Sequence, residues 1–129
     1  MKKTLLFLCF ALCFVVLFTS CLEPASSDDT FSPPGWIRGT WADTSLYHVY
    51  IFTAHTVTLR SAYSIANISS IYADDDVLET ITDSLYQFEI NPDSALWVTY
   101  RYELLTADTL NFTRINAAGT VGPIELVKE

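Results

Sequence analysis

The sequence reads as an all-β protein: a small antiparallel up-and-down β-barrel of about eight strands, following an N-terminal signal helix and a flexible tether. Three observations carry that reading. Beyond residue 35 the chain holds little helical periodicity and several runs in which apolar and polar residues alternate, the period of two that a half-buried strand demands. Turn-forming clusters recur about every 8 to 12 residues, a spacing typical of sandwiches and barrels. The segment is also short enough for one domain, and a ring whose first and last strands meet leaves no free edge.

The elements follow in chain order. Gly39-Thr40-Trp41 opens the first strand, with Ile37, Gly39 and Trp41 facing inward. Tyr47 to Arg60 (YHVYIFTAHTVTLR) is dense in β-branched and aromatic residues, and Ala54-His55 turns it into two strands. Ser84 to Ile90 puts Tyr86, Phe88 and Ile90 on one face and Gln87 and Glu89 on the other. Asn91 to Ser94 is a turn by composition. Ala95 to Leu104 sends Val98, Tyr100, Tyr102 and Leu104 one way and Thr99, Arg101 and Glu103 the other. After Thr106-Ala107-Asp108, the strand Leu110 to Ile115 groups Leu110, Phe112 and Arg114. Asn116 to Gly119 turns the chain into a closing strand, Val121 to Val127. Tyr63 to Glu79 stays open: Ile65, Ile68 and Ile71, spaced by three, suit a short helix, while the Ser and Ile content also suits a strand.

Ahead of the domain, Lys2 and Lys3 precede an uncharged apolar run, Leu5 to Phe18. A spanning helix needs roughly 20 residues, so this shorter run matches a secretory signal. Phe18-Thr19-Ser20-Cys21 resembles the lipobox of bacterial lipoproteins, departing from it at Phe18, where Leu is usual. The resemblance implies cleavage after residue 20 and acylation of Cys21, and acyl chains in twos or threes hold a membrane firmly. Leu22, rather than Asp, resembles lipoproteins forwarded to the outer membrane of the bacterial envelope. The expected organisation is signal peptide 1–20, lipidated Cys21 with a Ser-, Asp- and Pro-rich tether to residue 35, and a domain over 36–129. Cys9 and Cys13 fall in the removed run. The mature domain therefore has no internal disulfide and relies on its core.

Charge narrows the partners. The full chain carries a net −8, and losing Lys2 and Lys3 leaves five basic against fifteen acidic residues, a net −10. Such a chain disfavours nucleic acid and anionic lipid surfaces, which leaves the acyl chains on Cys21 as its attachment to the membrane.

Gly39-Thr40-Trp41 is similar to the Gly-x-Trp signature of lipocalins and related calycin barrels. The resemblance implies an eight-stranded barrel closed at one end by the tryptophan, with a basic residue from a late strand across its ring. Arg114, on the inward face beside Leu110 and Phe112, is the candidate for that role. Residues 100 to 115, YRYELLTADTLNFTRI, also look like the late hairpin of small bacterial lipocalin-like domains.

Two functional readings follow. In the first, the barrel holds one small apolar or amphipathic ligand, lined by Tyr50, Phe52, Tyr86, Phe88, Tyr100 and Tyr102. In the second, those large aromatics pack the interior shut and the protein serves the envelope as a structural or interaction module. No catalytic motif is present: His48 and His55 fall on opposite faces of a continuous strand, and no acid is placed to join them. Neither a cofactor nor a metal is expected. Asp74-Asp75-Asp76, with Glu79 and Asp83 nearby, lacks the spacing and glycine of a calcium loop and reads as a solvated loop.

Overall fold

A computed structural model describes residues 31–129; the expected signal sequence, Cys21 and the expected tether as far as residue 30 lie outside the described residues. The described chain forms one antiparallel sheet of nine strands. These are β1 (Gly39–Asp43), β2 (His48–Phe52), β3 (Val57–Ser61), β4 (Ile65–Asn67), β5 (Val77–Ile81), β6 (Leu85–Ile90), β7 (Val98–Thr106), β8 (Thr109–Asn116) and β9 (Gly119–Lys128). A single helical turn, α1 (Ile68–Ile71), separates β4 from β5. The all-β antiparallel architecture is thus as expected, with one strand more.

The strand order is β4-β3-β2-β1-β9-β8-β7-β6-β5. Two meanders are joined where the first and last strands meet, Trp41 to Asp43 against Lys128 to Leu126. The sheet curls into a half-barrel whose opening falls between β4 and β5. Closure stops there because the chain leaves β4 after three residues. The Asn67 side chain accepts from the Ser70 amide at 3.2 Å and caps α1, so the next backbone groups bond within a helical turn instead of a ladder. Tyr63 to Glu79 therefore contains strand, helical turn and strand in succession. Of the three isoleucines, Ile68 is buried, while Ile65 and Ile71 are exposed.

Alternation placed most inward faces correctly. Along β6 the burial switches residue by residue, with Tyr86, Phe88 and Ile90 inside. Ala95 and Leu96 form a turn ahead of β7, which starts at Val98, and Leu96 is 85% exposed. The interior is a continuous stack of rings. Tyr102, with no exposure, touches Phe52 at 5.0 Å, Phe112 at 5.1 Å, Tyr50 at 5.7 Å, and Tyr86 and Phe88 at 6.2 Å between centroids. Edge-on and offset pairs of this kind add about 0.5–1.5 kcal/mol each beyond burial.

The folded unit reaches back at least to Phe31, ahead of the boundary at residue 36 read from composition. Phe31 is fully buried, edge-on to Phe88 at 5.0 Å. The Ser32 amide donates to both carboxylate oxygens of Glu79 at 2.9 and 3.1 Å, and Trp36 Nε1 donates to the Thr82 carbonyl at 3.0 Å. This stretch crosses from the β5–β6 side of the half-barrel to β1. One large apolar residue among Ser, Asp and Pro was too weak a compositional signal to mark it.

Gly39 and Trp41 sit two residues apart at the start of β1. Trp41 is fully buried, and its Nε1 donates to the Ile37 carbonyl at 2.6 Å. Gly39 has φ +127°, and a Cβ there would lie 3.3 Å from Lys128 Cε. The absent side chain gives the lysine stem room to cross, and Lys128 Nζ sits 5.3 Å from the Trp41 ring centroid. The cation on this tryptophan is therefore Lys128, correcting the assignment to Arg114. Lys128 is level with Trp41 and bonds through its amide to the Asp108 carbonyl. Arg114 lies six residues beyond Asp108, roughly 20 Å of extended chain.

Trp41→Ala is expected to lower stability in urea melts by ~3–5 kcal/mol, the range for losing a buried ring. In double-mutant cycles, Trp41→Ala should be non-additive with Lys128→Gln. With Arg114→Gln it should be additive to within ~0.5 kcal/mol.

Candidate functional site

The end of the half-barrel that receives Arg114 is hollow. A cavity of about 200 Å³ is bounded by His48 and Tyr50 of β2, Leu59 of β3, Tyr100 of β7, Phe112 and Arg114 of β8, and Val121 and Ile124 of β9. A shallower groove of about 350 Å³ adjoins it across the shared Tyr100 and Arg114, running over Tyr72 and the 95–98 and 116–118 turns. Most of the wall is apolar; the polar groups converge from different strands.

Local backbone chemistry shapes this mouth. Between the pairs Phe112↔Ile124 and Arg114↔Val121, β9 carries one more residue than β8. That bulge turns Val121 onto the face of Ile124, beside Arg114, where strict alternation would have put Gly122. Gly122 has φ +106°, and a Cβ there would lie 2.5 Å from the Phe112 carbonyl oxygen. No side chain fits at that position.

The other polar wall comes from the turn after β1. The Asp43 carboxylate accepts from Ser45 Oγ at 2.9 Å and the Tyr47 amide at 3.0 Å, both on Oδ1. Its Oδ2 lies 3.2 Å from His48 Nδ1. Burial alone pushes the Asp43 carboxyl upward. The Ser45 hydroxyl, the His48 ring and the backbone amides of His48 and Tyr47 outweigh it and hold the group below the ordinary carboxylate value. With Asp43 ionised, Nδ1 of His48 carries a hydrogen and Nε2 is left as the second ring nitrogen.

The tyrosines are neutral donors. Burial pushes the hydroxyls of Tyr50 and Tyr100 well above the usual phenol value. Neighbouring phenols add to this, Tyr100 acting on Tyr50 and Tyr72 on Tyr100, while Arg114 opposes it on both. Tyr86 is pushed up by burial and by Glu79, whose Oε1 accepts from its hydroxyl at 2.6 Å.

The expected ligand-lining set therefore divides. Tyr50 and Tyr100 line the mouth cavity. Phe52, Tyr86, Phe88 and Tyr102 line neither hollow and fill the core instead, because rings this large meet across so narrow a sheet. Arg114 belongs to the mouth, not to the Trp41 closure. An acid does join one histidine, contrary to the sequence reading: Asp43 reaches His48 across a tight turn. The signal was the Asp-Thr-Ser sequence, whose hairpin pairing sets Ala42 opposite Val49. The acidic run is dispersed, with Asp75 accepting from Asn91 Nδ2 at 2.8 Å and Glu79 turned inward to Tyr86. Among the described residues no three His, Cys, Asp or Glu side chains group as a metal site, and no helix is long and apolar enough to cross a membrane.

Comparison with protein-family models, curated proteins and solved structures finds no match to this chain.

The buried Tyr102 hydroxyl has no hydrogen-bond partner. Tyr102→Phe should hold stability or raise it by up to ~1 kcal/mol, since it removes an unpaid desolvation cost. A loss above ~1 kcal/mol in thermal melts would mean that the hydroxyl is bonded in solution. Asp43 titrates below the ordinary carboxylate value of 3.8 in the folded chain. Its contribution is therefore complete above that value and is lost as pH falls through the lower folded one. Acid unfolding of Asp43→Asn should lack that component, with the two stability curves converging below pH 3.8.

Proposed function

We propose that this chain is a lipid-anchored lipoprotein of the bacterial envelope, placed at the outer membrane by acyl chains on Cys21. Its lipocalin-like half-barrel binds one small apolar or amphipathic ligand at the mouth, and it does so without catalysis. The observation that supports this reading is the 200 Å³ hollow, apolar on most sides, that adjoins a longer groove through Tyr100 and Arg114. The ring-filled core leaves the mouth as the place for an apolar body, and the groove gives room for the remainder. Ligand pockets combine an apolar wall with a few convergent polar groups in this way. The anchor rests on Phe18 to Cys21 and the uncharged run before them.

A second reading, a structural or protein-interaction lipoprotein with no ligand, draws on the packed interior and on apolar side chains left outside. Tyr63 is 96% exposed, Leu96 85% and Ile65 74%.

The test is native mass spectrometry of the full-length protein taken from its membrane in mild detergent. A small apolar or amphipathic molecule should be retained and should be lost in Val121→Trp, which fills the mouth. Cys21→Ser should abolish labelled-palmitate incorporation and leave the membrane fraction. Recovery of a protein partner with no small molecule would establish the second reading instead.

A further inference from the structure

Arg114 and His48 reach one cavity from strands that β1 and β9 separate in the sheet. No carboxylate pairs with Arg114 among the described residues, although twelve acidic side chains lie within them. The Tyr100 and Tyr50 hydroxyls, neutral donors, share the wall. The Arg114 guanidinium is exposed and hydrogen-bonded to the Tyr100 hydroxyl; with no carboxylate partner, it offers N–H donors to a planar or tetrahedral oxyanion.

His48 adds a variable charge. Its Nδ1 is held by Asp43, and Nε2 has no partner among the described residues. In the neutral ring Nε2 presents a lone pair, which repels an anionic oxygen; in the protonated ring it presents a hydrogen, which attracts one. The other charged or titratable groups around His48 are Asp43 from the β1 end, Tyr50 on its own strand, Tyr100 on β7 and Arg114 on β8. From β3, Ser61 stands opposite, with Arg60 next along the chain; from β9 the cavity receives the apolar Val121 and Ile124.

From this arrangement we infer that the mouth is an anion subsite in which Arg114 fixes a carboxylate, sulfonate or phosphate group and His48, oriented by Asp43, tightens the hold when it gains its second proton. The inference rests on the mouth being a ligand site and specifies the charged end of that ligand, with affinity rising as the medium becomes acidic.

Two probes with the same ring system separate the possibilities on the full-length protein: anilinonaphthalene sulfonate and the uncharged N-phenylnaphthylamine, followed by fluorescence. Both should bind at pH 8. On moving to pH 5 the sulfonate should bind about tenfold more tightly, while the uncharged probe holds its affinity. Arg114→Gln should weaken the sulfonate about tenfold and spare the uncharged probe, and Arg114→Lys should restore part of the loss. His48→Gln should remove the pH dependence of the sulfonate at unchanged folding by circular dichroism. A sulfonate affinity that ignores Arg114→Gln, or a pH dependence that survives His48→Gln, overturns the inference while leaving an apolar ligand site standing. Failure of both probes to bind overturns the ligand-site reading and the inference with it.

Discussion

The aromatic stack around Tyr102 is the constraint on which the rest of the half-barrel depends. Rings from β2, β6 and β8 meet at its phenol, and a sheet carrying them on one face buries them by curling. Residues 31–129 contain no cysteine, so this packing and the buried Trp41 hold the strands together. The same rings leave little central volume. What binding capacity the fold has lies at the end where the stack gives way to Arg114, Val121 and Ile124.

The two ends are consequently different in kind. At one, Trp41 and Ile37 are sealed from water, with a lysine laid over the indole. At the other, cationic, phenolic and imidazole groups face a hollow. Both positive side chains lie on inward faces of late strands, which is why one was mistaken for the other. The alternation from Leu126 does reach Lys128, but the closing strand read from sequence stopped at Val127. Arg114, on a strongly alternating strand beside Leu110 and Phe112, was the more visible charge.

Much of the sheet was legible because half-buried strands write their geometry into a two-residue period. Tyr86-Gln87-Phe88-Glu89-Ile90 and the run from Val98 to Leu104 gave their inward faces directly. Contacts made by turns and irregularities were harder to see. The Asp43–His48 pair depends on hairpin length, the exposure of Val121 to the cavity on a bulge, and the burial of Phe31 on a tertiary contact with Phe88. No local periodicity encodes any of these. Of the six candidate lining residues, five are buried and Tyr100 is half-buried against the core. Which of them would touch one another and which would touch a hollow is a question of volume, and volume is a property of the assembled sheet.

The missing ladder between β4 and β5 changes what sets the girth of the molecule. In a sealed barrel, strand number and stagger fix the diameter, and a core residue of the wrong size strains against a continuous hoop of hydrogen bonds. Here the hoop has a cut. Circumference is set by the side chains inside, so a methylene gained or lost among the rings is taken up as a wider or narrower slot along that cut, while the eight ladders keep their register.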